Sequence, residues 1–121
     1  MANSTDGQLK PRTKQFGIRV IRLTDALPRT IAGQVIGRQL LRSALSVGAN
    51  YRATCRAKSR RDFVSKMGIV LEEIDESLYW MEMLVEAGII KKERLAGLMD
   101  EADQITAMAT ASIKTARGKL K

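Results

Sequence analysis

A chain of 121 residues with 45% hydrophobic content has enough apolar material for one domain with a real core, and its scarce aromatics (4%) and two prolines favour helix over sheet. A single cysteine excludes an internal disulfide and suits a reducing, cytoplasmic setting, while the absence of histidine removes Ser–His and Cys–His nucleophile pairs and the Glu-x-x-His ligand pattern of di-iron bundles. The formal charge of +8 is segregated: residues 1–66 hold 14 Lys/Arg against 3 Asp/Glu, residues 67–103 hold 3 against 10, and residues 104–121 hold 4 against none, a distribution that suits a surface meeting a polyanion.

Residues 1–12 are polar, contain Gly7 and Pro11, and read as a disordered basic arm. They lack the apolar centre of a secretory signal, and no apolar run in the chain approaches the roughly 20 residues of a membrane span. The remainder, residues 13–121, reads as one helical bundle domain. A first helix is predicted over 13–26, with Phe16, Val20, Leu23 and Leu27 on one stripe. Pro28 ends it, because the residue before proline avoids the helical region.

Thr30 is placed to cap a second helix over 31–57 with the stripe Ile36, Leu40, Ala44, Val47 and Tyr51. The middle of this helix is unusually small, from Ser43 and Ala44 through Ser46, Gly48 and Ala49, which invites another backbone to approach closely. After a turn at 58–60, Ser59 and Asp62 form a partial capping box for a third helix that runs to about residue 87. Phe63, Met67, Val70, Ile74, Ser77, Met81 and Leu84 keep a 4-3-4-3 rhythm, and Gly88 is a good terminator. A fourth helix over 91–117 carries Leu95, Leu98, Ala102, Ile105, Ala109, Ser112 and Ala116. Four helices with short links predict an all-α, antiparallel up-down-up-down four-helix bundle. Leu41, Leu45, Val64, Leu71, Leu78 and Val85 widen the apolar faces beyond what one bundle core needs and point to a homo-oligomer.

That topology gathers thirteen of the 21 cations at one end, with Asp62 the only acid among them. Lys10, Arg12 and Lys14 come from the start of the first helix, and Lys121 from the chain end. The residues expected to contact nucleic acid are Arg52, Arg56, Lys58, Arg60, Arg61 and Lys66 around the second turn, with Lys114, Arg117 and Lys119 from the last helix. The pole carries few aromatics, so phosphate contact rather than base stacking is the expected mode, with RNA the favoured partner. A protein-interaction or scaffold module without a polyanion ligand is the alternative.

Other constellations carry less. The acidic run Glu72-Glu73-Ile74-Asp75-Glu76 could hold a hard cation, but Arg42 falls level with Glu76 in an antiparallel hairpin, so ion pairing is expected there. Asn50 is expected as a hydrogen-bonded core group, Cys55 as an inert thiol, and Tyr79-Trp80 as packing groups. No glycine-rich phosphate loop follows a strand, no cofactor is implied, and a non-enzymatic protein is expected.

The segment Ser43-Ala44-Leu45-Ser46-Val47-Gly48-Ala49-Asn50-Tyr51-Arg52, with Asp62-Phe63-Val64-Ser65-Lys66-Met67 and Glu76-Ser77-Leu78-Tyr79-Trp80, resembles the bacterial four-helix bundle family also called the 23S rRNA intervening-sequence protein family. Leu27-Pro28-Arg29-Thr30 matches its junction between the first two helices, and the likeness spans about residues 16–90. Many members have Glu-Gly soon after the helix 2 asparagine. Here Tyr51 is followed by Arg52-Ala53, which makes the region more basic. The resemblance implies an antiparallel four-helix bundle assembling into a ring, commonly a pentamer. The accessory variability protein of diversity-generating retroelements is similar in fold and ring and works with RNA and a reverse transcriptase, so such an enzyme or a ribosomal RNA element is an implied partner. No catalytic residues are established for the family, and none is carried over.

Overall fold

The computed structural model describes residues 4–119. Four helices account for nearly all of them: α1 (Ser4–Asp25), α2 (Ile31–Thr54), α3 (Arg60–Glu86) and α4 (Lys92–Gly118), with no strand among the described residues. Each helix packs on two others, α1 and α3 both touching α2 and α4, so the four close into a bundle around one core.

The helix ends follow from local chemistry. Thr30 is extended, and its hydroxyl accepts the Gly33 N–H at 3.0 Å. Such a cap is worth about 1 kcal/mol. Ser59 does the same for the Asp62 N–H at 3.1 Å, while the Asp62 carboxylate reaches back to the Lys58 N–H at 3.0 Å. After α3, Gly88 adopts φ +71°, a conformation that costs a residue without a Cβ little. It lets the Ile89 and Ile90 N–H groups both turn back to the Leu84 carbonyl, at 2.9 and 3.2 Å, and buries Ile90.

The core is made by the predicted stripes. Phe16 and Val20 of α1, Leu40 and Val47 of α2, Met67, Ile74, Met81 and Leu84 of α3, and Leu95 and Ile105 of α4 are all fully enclosed. Each such aliphatic or aromatic side chain contributes about 1.5–3 kcal/mol of burial. Ser43 and Ser77 sit in the same core with their hydroxyl oxygens 2.9 Å apart, and each also lies against a carbonyl of its own helix, Leu40 at 3.1 Å and Glu73 at 2.9 Å. Two protons serve three contacts: one is donated across the helix pair and one to a carbonyl. Among the described residues no buried side-chain nitrogen or oxygen lacks a partner.

The contact between α1 and α2 is set by small residues, as the composition of α2 implies. A Cβ on Gly48 would lie 3.3 Å from the Thr13 carbonyl oxygen, so the two backbones nearly touch. Contacts along this pair run in opposite senses, Thr13 with Gly48, Gly17 with Leu45 and Leu27 with Gly37.

Several expectations are corrected. Residues 4–12, read as part of a disordered arm, are helical in α1, and residues 1–3 lie outside the described ones. Leu9 is buried, and Thr13 is buried with its hydroxyl donated to the Leu9 carbonyl at 2.7 Å, so the stripe runs 9–13–16–20 and outweighs the cost of Pro11 inside the helix. Helix α2 stops at Thr54 rather than residue 57, where N–H groups of 56 and 57 bond three residues back and tighten the turn. In α4 the buried position is Ile113, not the half-exposed Ser112. Of the six residues read as surplus, Leu41, Val64, Leu71, Leu78 and Val85 pack against the core within the chain, and only Leu45 is exposed.

Candidate nucleic-acid interface

The turn between α2 and α3 puts five cations on a short path. Arg52 lies in the last turn of α2, where a positive charge complements the helix dipole, and Arg56 and Lys58 follow in the linker. Arg60 and Arg61 open α3, at the end where the dipole disfavours positive charge. Local stability is therefore given up for cation density there, with Asp62 as the compensating acid. All five are exposed.

Lys66 differs from them. It is half-buried, and its ammonium lies 2.7 Å from both oxygens of Asp62. The Lys66 contact, followed by the Lys58 N–H, holds the Asp62 carboxyl below its ordinary range. Lys114, Arg117 and Lys119 are exposed along the end of α4, and Lys121 lies outside the described residues. Among the described residues no carboxylate forms an ion pair with Arg52, Arg56, Lys58, Arg60, Arg61, Lys114, Arg117 or Lys119.

Two arginines away from the turn are held by carboxylates. Arg12, counted with the pole on sequence grounds, instead forks onto Glu101 at 2.7 and 2.9 Å, with Gln104 Oε1 at 2.8 Å and the Met108 sulfur at 3.3 Å. The Glu101 contact raises its pKa further. Arg42 bridges Glu73 at 3.0 Å and Glu76, as expected for the acidic run. The Trp80 indole N–H donates to the same Glu76 at 3.1 Å, and this bond, then Arg42, holds the Glu76 carboxyl below its ordinary range. Trp80 packs against the core, whereas Tyr79 is exposed with its ring edge-on to Trp80 at 5.0 Å. Asn50 is only half-buried, and its amide donates to the Ser46 carbonyl of its own helix at 2.8 Å. Cys55 is exposed. No cluster of three or more potential metal ligands occurs among the described residues.

A cleft of about 670 Å³ opens along the outer seam of α1 and α2. Lys10 and Lys14 on one side and Arg52 and Arg56 on the other make its charged half, and Ile18, Ile21 and Leu45 line the rest over Gly17, Gly48 and Ala49. Sequence reasoning counted Lys10 and Lys14 toward the pole but not among the contact residues, and it missed Ile18 and Ile21. The signal was available: residues 10, 14, 17 and 21 of α1 and 45, 48, 52 and 55 of α2 recur at helical spacing beside the core stripes.

The fold and the segments carrying the resemblance agree with the comparisons. The model of the family described as 23S rRNA-intervening sequence protein matches residues 6–111. The chain belongs to that family. A crystal structure of a protein of unknown function from the S23 ribosomal protein family of Bacteroides thetaiotaomicron is similar, with 32% identity, 91% of this chain and 98% of that chain covered, and a TM-score of 0.85. No curated protein matches the chain. The match to the 23S rRNA-intervening sequence protein family reaches further at both ends than the motif-bearing stretch did, taking in most of α1 and α4. No helix among the described residues is long and apolar enough to cross a membrane.

Proposed function

We propose that this family member is a non-enzymatic, cytoplasmic RNA-binding protein that works through the cations its fold leaves unpaired. The observation that carries this reading is density: Arg52, Arg56, Lys58, Arg60 and Arg61 are exposed within ten residues of chain and none is ion-paired to a described carboxylate. Arg12 and Arg42 are held by carboxylates, while Arg52, Arg56, Arg60, Arg61, Lys114 and Arg117 are exposed with no ion pair to a described carboxylate. An up-down-up-down order of the helices brings the second turn and the end of α4 to one end. Contact is then to phosphates, from arginine and lysine side chains. The family's rRNA-related description supports RNA over other polyanions.

The protein assembles in this reading as a homo-oligomeric ring, a pentamer, which repeats the basic patch around one rim and multiplies weak contacts. Exposed Ile31, Val35, Tyr79 and Met83 support an apolar contact between copies. The same four residues favour a second reading, a scaffold for a protein such as a reverse transcriptase, with no nucleic acid bound.

The test is charge reversal. Arg56→Glu, Arg60→Glu and Arg61→Glu together should abolish RNA retention on a filter while helicity and the mass from light scattering stay unchanged. Wild-type affinity should fall steeply with salt, with a log–log slope of roughly 0.7 per neutralised phosphate on a single strand. Salt-insensitive binding, or RNA affinity unchanged in the triple variant, rejects this surface and favours the scaffold.

A further inference from the structure

The turn cations explain attraction to phosphate, but the cleft between α1 and α2 has a lining that phosphate alone does not use. Lys10 and Lys14 lie one turn apart on α1, and Arg52 and Arg56 one turn apart on α2, so two pairs of cations flank the charged half. None of the four is ion-paired to a described carboxylate. Beyond them the walls are Ile18, Ile21 and Leu45, and the last two keep 41% and 44% of their surface in solvent. Half of the cleft therefore prefers an anion, and the other half a body with little affinity for water.

We propose that this cleft seats an unpaired nucleotide of single-stranded RNA, its flanking phosphates on Lys10, Lys14, Arg52 and Arg56 and its base against Ile18, Ile21 and Leu45. The inference rests on the RNA-binding reading and adds to it the strand state of the ligand. A-form duplex RNA offers phosphates and a shallow groove but keeps its bases stacked, so it can use only the charged half. A splayed nucleotide carries both chemistries in one unit, and a volume of about 670 Å³ lies in the range of small-molecule sites. An acidic helix from another protein would also meet the charges. However, the cleft is lined by 14 residues and its α1 wall from residue 10 to residue 21 is only about 17 Å long at 1.5 Å per residue, whereas a standard protein interface uses roughly 20–30 residues a side. The geometry is sized for a nucleotide or two.

Fluorescence anisotropy at fixed salt decides the matter with three labelled RNAs: an unstructured single strand, the same strand with abasic sugars, and a duplex. The wild-type protein should bind the intact single strand roughly tenfold more tightly than either of the others. Ala49→Leu, which narrows the cleft from an exposed position without changing charge or adding a ring for a base to stack on, should erase that preference while the oligomer mass stays unchanged. Equal wild-type affinity for intact and abasic strands overturns the cleft assignment while leaving the RNA-binding reading in place, and needs no variant to fold. Failure of all three RNAs to bind overturns both. A change in oligomer mass in Ala49→Leu, with the single-strand preference retained, assigns the cleft to a second copy of this chain instead.

Discussion

Toward α3, helix α2 presents Ser43 and Arg42, and each finds a partner. The Ser43 hydroxyl meets Ser77, and Arg42 spans Glu73 and Glu76. Toward α1 the same helix presents Gly48, Ala49 and Arg52, and there the helices touch through backbone while the arginine is left over. Along its middle the first seam is closed chemically: Ser43 and Arg42 are matched, and unpaired cations of this helix pair gather at its turn. The second is closed sterically, and the close approach that Gly48 permits leaves a cleft with uncompensated charge along its rim. A patch of unpaired cations beside a tight glycine contact is thus more informative about binding than the larger count of cations in the chain.

The comparison can be broken at each seam. The largest effect is expected at the steric one. Gly48→Val drives a branched side chain at the Thr13 carbonyl, a backbone atom that cannot rotate away, and should cost about 1–3 kcal/mol in urea unfolding. It should also widen the cleft and weaken RNA binding. A stable Gly48→Val protein with unchanged affinity would show that the close approach does not shape the site. At the matched seam, Ser77→Ala should cost about 1 kcal/mol, because Ser43 loses its cross-helix partner but keeps the Leu40 carbonyl. The double variant Ser43→Ala, Ser77→Ala should lose less than the two single losses added together, and strict additivity would mean the hydroxyls are not coupled.

The smallest effect concerns acid. The Trp80 N–H and Arg42 lower the Glu76 pKa in the folded chain, so this carboxylate stabilises the fold above its ordinary unfolded pKa. That contribution fades as pH falls through the lowered folded value. Glu76→Gln should therefore flatten the acid side of the stability–pH curve and slightly lower the plateau above it, where the carboxylate is ionised in both states. An acid limb as steep in the variant as in the wild type would assign the sensitivity to other carboxylates.

The parts of this architecture that periodicity encodes are legible in the sequence. The α3 seam from Phe63 to Leu84, the caps at Thr30 and Ser59, and the level of Arg42 with Glu76 all follow from spacing and side-chain chemistry. The sequence sets the start of α1 too late, because the polarity of residues 1–12 with Gly7 and Pro11 suggests an arm that gives way to helix only at Thr13. In the fold the Thr13 hydroxyl is absorbed by the Leu9 carbonyl, so a polar residue behaves as a core residue and Leu9 belongs to the bundle. Ser112 and Ile113 both fit the rhythm of α4, and the larger apolar side chain takes the buried position. The site was legible only as a list of charges. Which arginines stay unpaired depends on carboxylates far away in sequence, as Arg12 with Glu101 illustrates, and the cleft depends on an interhelical distance that no residue count supplies.

Cys55 has a practical consequence of its own. The chain has one thiol, it is exposed, and it lines the cleft beside Arg52 and Arg56. A maleimide fluorophore placed there attaches at one defined position per subunit, with no engineered cysteine needed. The same label can count subunits by stepwise photobleaching and report occupancy of the seam by quenching, so stoichiometry and binding can be read from a single molecule.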